Sequence, residues 1–277
     1  MSNPVEIIVL GARGRMGQMV LSACARALRE KPGSLKVVAA VEYRGCPGAD
    51  APGATLSVDG LEVPFTDDLA AVLKPGAVLI DFTTIDSSLA ALALAEKAGA
   101  AHVLCTTGFD AAQKARIGAA AQRIPVLFSP NMSIGVNVLF KAVEAVARAL
   151  GHDFDVEIIE AHHNQKKDSP SGTALGFAEA VARGLDVKLA EKAVYGREGL
   201  VGARPRGEIG IHAVRGGDIA GDHTVLFAGD GERVEIRHVA HGRQVFAQGA
   251  LRAALFLGDR AAAGKPGLYT MADVLGL

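Results

Sequence analysis

Val5-Glu6-Ile7-Ile8-Val9-Leu10 runs directly into Gly11-Ala12-Arg13-Gly14-Arg15-Met16-Gly17, and a stretch read as helix continues from about Arg15 to Glu30. An apolar β-branched strand, a glycine turn and a helix form the opening of a dinucleotide-binding βαβ unit. The spacing is G-x-x-G-x-x-G rather than the stricter G-x-G-x-x-G. The physics is similar. Gly11 permits a sharp turn, Gly14 lets backbone approach a pyrophosphate, and Gly17 allows close helix–strand packing. The helix N-terminus adds free N–H groups and a positive dipole end. Leu35–Val41 reads as the next strand, and Glu42 at its end is placed to hydrogen-bond ribose hydroxyls. A carboxylate there repels the 2′-phosphate of NADP, whereas Arg13, Arg15 and Arg44 offer positive charge nearby. NADH and NADPH both stay open.

The alternation continues. Leu61–Phe65, Ala77–Phe82, His102–Thr106 and Pro125–Ser129 read as strands. Asp67–Leu73, Ser87–Ala98 and Asp110–Ile124 read as helices, with Asp110 and Gln113 spaced as a capping box. Glu42–Gly60, rich in Gly, Pro and Asp, reads as irregular loop. Short apolar strands alternating with helices predict a doubly wound parallel sheet of Rossmann type, buried on both faces. Past Pro130 the pattern changes. Val136–Leu150 and Thr173–Leu185 read as helices and Phe154–Ala161 as a strand. Ile209–Val214, Thr224–Ala228 and Arg233–Val239 are strands joined only by loops, which predicts hairpins or a meander in a mixed sheet. Gln244–Leu257 is helical again and returns to the first domain. The expected division is a dinucleotide-binding domain of residues 1–131 with 241–277, and a second α+β domain of residues 132–240.

Of 277 residues, 49% are hydrophobic, enough for a sizeable core, and 33 are glycine without a collagen period. Tryptophan is absent and aromatics are 5%, which argues against stacking on single-stranded nucleic acid. A net charge of −1 gives no basic field for nucleic acid or membrane. Met1–Leu10 has no basic n-region and is interrupted by Glu6, so it does not read as a leader. No uncharged apolar run reaches the roughly 18 residues of a membrane span, and the expected compartment is the cytoplasm. Cys24, Cys46 and Cys105 form no disulfide framework.

The densest chemistry lies in Glu160-Ala161-His162-His163-Asn164-Gln165-Lys166-Lys167-Asp168-Ser169-Pro170-Ser171-Gly172-Thr173-Ala174. Histidine suits proton transfer near neutral pH, and lysine offers a point charge to a carboxylate. Pro170-Ser171-Gly172-Thr173 opens a helix, whose free N–H groups join the Ser171 and Thr173 hydroxyls as a carboxylate site. Adjacent histidines of a strand point to opposite faces and no third ligand stands at a recognisable spacing, so no metal is expected. The other histidines (102, 152, 212, 223, 238 and 241) are isolated and read as structural or surface residues.

This segment resembles the E-A-H-H-x-x-K-x-D-x-P-S-G-T-A signature of the 4-hydroxy-tetrahydrodipicolinate (dihydrodipicolinate) reductase family of lysine and diaminopimelate biosynthesis. Gly11–Gly17, Ile80–Thr83, Thr106–Phe109, Asn131–Asn137, Arg215–Ile219 and Gly221–Thr224 match further family motifs, so the resemblance spans nearly the whole chain. It implies a Rossmann domain, a substrate domain with a mixed sheet, and a homotetramer. By the same resemblance His162 is the proton donor and Lys166 the second catalytic group. His163, Gly172 and Thr173 contact a small dicarboxylate substrate. Gly11, Ala12, Arg13, Gly14, Arg15, Met16, Glu42, Cys105, Thr106, Thr107, Ser129, Pro130, Asn131 and Met132 contact NADH or NADPH. Because these sites lie on two domains, closure about Asn131 and His241 is expected to bring them together and exclude water. Two positions depart from the family. Cys105 stands where glycine is usual, and a left-handed backbone there would strain it. Tyr43 follows Glu42 where an arginine often helps hold NADP, which favours NADH as at least an equal cofactor.

Two other readings share parts of this pattern. A dehydrogenase of another small amino dicarboxylate keeps the Gly11 loop but does not require the segment from His162 to Thr173. A catalytically silent dinucleotide-binding protein has no use for His162 beside Lys166.

Overall fold

In the computed structural model, which describes residues 4–277, the chain begins with β1 (Val5–Leu10), α1 (Arg15–Glu30) and β2 (Leu35–Val41). Residues 1–3, where the segment read as carrying no leader begins, lie outside the described residues. Next come β3 (Thr55–Val58), β4 (Leu61–Thr66), α2 (Leu69–Val72), β5 (Val78–Asp81), α3 (Ile85–Ala98), β6 (Ala101–Leu104), α4 (Ala111–Ala120) and β7 (Pro125–Phe128). A second run consists of α5 (Ile134–Leu150), β8 (Asp155–His162), α6 (Gly172–Gly184), α7 (Leu189–Lys192), β9 (Ala193–Tyr195), β10 (Ile209–Arg215), β11 (Asp222–Ala228) and β12 (Arg233–Val239). The chain ends with α8 (Gln244–Ala262), β13 (Gly267–Tyr269) and α9 (Met271–Leu275). Two compact units result: one runs to Ser133 and resumes at Arg243–Gly276, and the other is Ile134–Gly242.

The first unit holds an eight-stranded sheet in the order β13-β7-β6-β5-β1-β2-β4-β3, parallel except where β3 runs against β4. Its central strands β1, β5, β6 and β7 are buried on both faces along most of their length. Ile8, Leu10, Leu79, Leu104 and Val126 form one apolar cluster with Leu89 and Leu92 of α3 and Ile117 of α4. Alternate residues face the other way, where α8 packs on β1, β5, β6 and β7. The helix also lies close against the loop after β7 because residue 249 is glycine: a Cβ there would collide with the Met132 carbonyl oxygen. The strand order reverses at β1, which has β2 on one side and β5 on the other. In open α/β sheets such a switch point opens a crevice at the carboxyl ends of the strands, and the glycine loop follows β1 there.

Glu42–Gly60 is not wholly irregular. Thr55–Val58 pairs antiparallel with β4 through a turn in which Asp59 and Gly60 have φ of 51° and 81°. Asp-Gly is a preferred hairpin dipeptide because both positions take positive φ. Helix α4 ends at Ala120, short of Ile124, although its Asp110–Gln113 capping box forms as expected. The chain does not end on the returning helix: β13 adds a parallel edge strand beside β7, and α9 follows with its own Thr270–Asp273 capping box.

The second unit holds a mixed sheet in the order β12-β11-β8-β10-β9. Strands β11 and β12 form the expected hairpin, but the three late strands are not a meander. β8 inserts between β10 and β11, parallel to the first and antiparallel to the second. Val156, Ile158, Ile209, Ile211, Val225 and Phe227 line the inner face and pack with Phe177 and Val181 of α6 and Val143 of α5. No helix among the described residues is long and apolar enough to cross a membrane.

Candidate functional site

Two sets of residues come together, one in each unit. In the first, β7, β6, β5 and β1 lie side by side and are parallel, so their carboxyl ends share one edge. The sequence-predicted cofactor residues stand on that edge. Gly11 has φ of +71°, and its N–H and that of Ala12 both donate to the Val41 carbonyl, at 2.8 and 3.1 Å. A Cβ at Gly11 would lie 2.9 Å from Thr83 Cγ2. One at Gly17 would collide with the Gly11 carbonyl oxygen and lie 2.7 Å from Ala12 Cα. Gly14 is the N-cap of α1 and has no side chain to occupy the first N–H groups of that helix. A bare helix N-terminus behind a glycine turn is a cradle for an anionic pyrophosphate.

The carboxylate of Glu42 accepts from the Arg13 N–H at 2.7 Å, so it holds the loop as well as lining a cavity of about 580 Å³ with Gly11, Tyr43, Arg44, Thr83 and Leu94. The Arg13 guanidinium turns aside. It donates to the Pro47 carbonyl at 3.0 Å and lies over the Phe65 ring at 4.7 Å. A second cavity of about 540 Å³ is lined by Thr83, Thr84, Ile85, Cys105, Thr106 and Thr107. Cys105 is not in the left-handed region, so the strain anticipated for it is absent. Its N–H donates to the Asp81 carbonyl at 2.9 Å. Burial, with the Asp81 charge beside it, pushes its thiol well above the usual range and leaves it unreactive. Thr106 Oγ1 lies 2.7 Å from Ser88 Oγ, and Ser129 Oγ donates to the Asn131 carbonyl at 2.9 Å. Arg15 and Pro130 are exposed and Met132 is buried.

The second set is built on β8. Val156, Ile158, Glu160 and His162 alternate onto its buried face, so a carboxylate and an imidazole replace two core aliphatics at the strand end. Glu160 is fully buried. Its Oε2 accepts from His162 Nδ1 at 2.6 Å and from Arg215 at 2.8 Å. Its Oε1 accepts from the Ser171 N–H at 3.0 Å and from Arg215 at 2.9 Å. Burial opposes the charge, yet the Arg215 fork, His162 and Ser171 together hold the carboxyl below its ordinary range. Burial pulls His162 below the usual imidazole value, with Glu160 working against that and Lys166 and Arg215 adding to it.

Ser171 caps α6, its Oγ accepting from the Ala174 N–H at 3.1 Å. The same Oγ lies 3.0 Å from His223 Nε2. His223 stands edge-on to His162, with ring centroids 5.1 Å apart, and burial pulls it down to about 4. It is therefore not an isolated histidine, contrary to the sequence expectation. Gly172 and Thr173 form the first turn of α6. Lys166 Nζ pairs with Asp168 at 2.9 Å, and the His163 N–H donates to the Ile219 carbonyl at 2.8 Å. No cluster of three or more metal-ligating side chains occurs among the described residues.

Glu160, Arg215 and His223 are the members that reading the sequence missed as functional. For Glu160 a signal was available: a charge two positions before His162 shares its strand face. Arg215 and His223 arrive from β10 and β11; both lie in stretches that match family motifs, but nothing local shows that they meet Glu160 and His162.

Comparison with known proteins places both halves of the chain in one family. The family model described as dihydrodipicolinate reductase, N-terminus, matches residues 5–132, and that described as dihydrodipicolinate reductase, C-terminus, matches residues 135–275. The 4-hydroxy-tetrahydrodipicolinate reductase of Ralstonia pickettii (strain 12J) is 50% identical over 276 residues, covering 99% of this chain and 100% of the relative. That of Anaeromyxobacter sp. (strain Fw109-5) is 48% identical over 274 residues, covering 99% and 98%. Among solved structures, a dipicolinate-bound dihydrodipicolinate reductase from Paenisporosarcina sp. TG-14 matches with a TM-score of 0.72 and 27% identity over 98% of each chain. Aspartate semialdehyde dehydrogenase II of Vibrio cholerae, with a TM-score of 0.52 and 11% identity over 94% of this chain and 99% of that one, shares the fold alone.

Proposed function

Because this chain belongs to the dihydrodipicolinate reductase family, it is an NAD(P)H-dependent oxidoreductase that reduces 4-hydroxy-tetrahydrodipicolinate in lysine and diaminopimelate biosynthesis, and we propose that His162 and Lys166 carry its proton chemistry. The observation that carries the site assignment is the buried Glu160–His162 pair beside the capped N-terminus of α6. The substrate is a cyclic imine with two carboxylates. One carboxylate fits the N–H groups of α6 at Gly172 and Thr173, where the dipole is positive. Lys166 binds substrate charge and stabilises charge developing beside His162; His163 flanks the same segment.

Gly11–Met16, Glu42, Cys105–Thr107 and Ser129–Met132 form the dinucleotide site, and the N-terminus of α1, left without a side-chain cap at Gly14, supports that fit. Bound there, a reduced nicotinamide dinucleotide supplies the hydride that ring C4 needs once the 4-hydroxyl has left as water. The electron pair moves towards the ring nitrogen, leaving an enamine whose C3 must gain a proton, and His162 donates it. The balance is one hydride and one proton in, one water out.

Glu42 faces the cavity and Arg13 is engaged with Pro47 and Phe65, so NADH is at least as good a cofactor as NADPH. The enzyme works in the cytoplasm as a homotetramer. The outer face of the mixed sheet supports assembly: Val214, Ala161, Asp222 and Val239 align across its strands, and Ile159, Val214 and Val239 stay exposed there. Steady-state kinetics on freshly generated substrate with both cofactors tests the reading. We expect turnover, with kcat/KM for NADH equal to or above that for NADPH. A value for NADPH more than about tenfold higher, or about 1.4 kcal/mol in transition-state terms, contradicts the assignment of Glu42 and Tyr43.

A further inference from the structure

We propose that Glu160 is a positioning residue for the proton transfer: backed by Arg215, it fixes His162 as the Nδ1–H tautomer, so that Nε2 is the nitrogen that meets the substrate. This rests on the reading of His162 as proton donor. Glu160 cannot itself be the acid. Each of its oxygens already accepts two hydrogen bonds, from His162, Ser171 and both arms of Arg215, and the residue is fully buried. An ionised carboxylate only accepts, so the 2.6 Å contact makes His162 Nδ1 the donor. Nε2 is then the nitrogen left for chemistry, and a Cβ at residue 221 would come within 3.1 Å of it, so the glycine there keeps its approach open.

Arg215 has a separate task. Its two arms keep the buried carboxylate ionised, so that Glu160 does not take the His162 proton for itself. The same carboxylate bonds the Ser171 N–H at the start of α6. One group therefore ties the proton donor to the helix end proposed to hold the substrate carboxylate, and their relative placement is set before substrate arrives. The charged and titratable groups facing His162 are Glu160 on its own strand, Lys166 in the following loop, Arg215 on β10 and His223 on β11. Glu160 is the one anion among them, so it is the group that favours the protonated ring.

The test is Glu160→Gln, which keeps shape and an acceptor oxygen while removing the charge. We expect kcat to fall at least about tenfold and the alkaline limb of its pH profile to move down by about one unit. The substrate KM should change less than kcat, and NADH affinity should hold. An unchanged kcat and limb, or a rise in KM alone, overturns the proposal and leaves Glu160 a structural clamp. Should the variant fail to fold, 15N NMR of histidine-labelled wild-type protein decides: a neutral His162 protonated at Nδ1 is expected, and one protonated at Nε2 overturns it. His162→Gln, measured alongside, separates the two levels. Wild-type kcat in that variant removes the premise that His162 is the donor. A loss there without one in Glu160→Gln removes only the role of Glu160.

Discussion

His223 sits beside His162, the proposed proton donor, buried and pulled down to about 4, with its Nε2 against Ser171. An unfolded histidine titrates near its ordinary value of 6.5. Between those two values the unfolded chain binds a proton that the folded one refuses, so stability rises with pH across that window. The contribution is fully present above 6.5 and is lost as pH falls towards 4; it is worth about 3 kcal/mol. Denaturant melts should therefore show the second unit losing stability from pH 7 to pH 4.5, and His223→Gln should flatten most of that loss. An equally steep loss in the variant assigns it to other groups. His223 lies in a stretch, Gly221–Thr224, that matches a family motif, but nothing near Asp222-His223-Thr224 shows that its ring meets His162. Cys105 illustrates the reverse: the resemblance raised the expectation of strain there, yet its backbone is outside the left-handed region and burial pushes its thiol up.

At the scale of elements, the junction of β1 and α1 depends on the absence of one methyl group. Gly17→Ala places a Cβ against the Gly11 carbonyl and Ala12 Cα, both backbone and unable to swing aside. Overpacking of this kind costs about 1–3 kcal/mol, and here it displaces the loop proposed to hold the pyrophosphate. We expect a lower Tm for the first unit and NADH binding weakened at least about tenfold, equal to about 1.4 kcal/mol, by calorimetry. Binding at wild-type strength separates this loop from cofactor recognition. The strand–loop–helix was legible because the glycine spacing and the change of apolar period are local. The β3–β4 hairpin was also local, but its Asp59-Gly60 turn lies inside a run of Gly, Pro and Asp that reads as loop. β13 is different again: three residues carry no period, and only pairing with β7 makes them a strand.

For the whole molecule, the two units divide the proposed chemistry, with the dinucleotide loops in one and the proton donor and carboxylate site in the other. The outer face of the second unit's sheet bears on assembly. Placing a charge there with Ile159→Glu leaves the inner core of Ile158, Phe177 and Phe227 untouched. Sedimentation should show wild-type tetramers and smaller species for the variant, with helix content retained by circular dichroism. A wild-type monomer refutes the assembly proposed from this face. What the sequence by itself determined is what neighbouring residues can dictate: alternating strands and helices, a glycine turn that admits backbone close to a ligand, and a continuous segment from Glu160 to Ala174 dense in proton-transfer and anion-binding groups. Tertiary structure alone decided that β8 inserts between β10 and β11, and that Glu160 gathers donors from His162, Ser171 and Arg215. A buried charge must find its partners wherever the folded chain presents them, and Arg215 stands on another strand, so no period or spacing along the sequence records that contact.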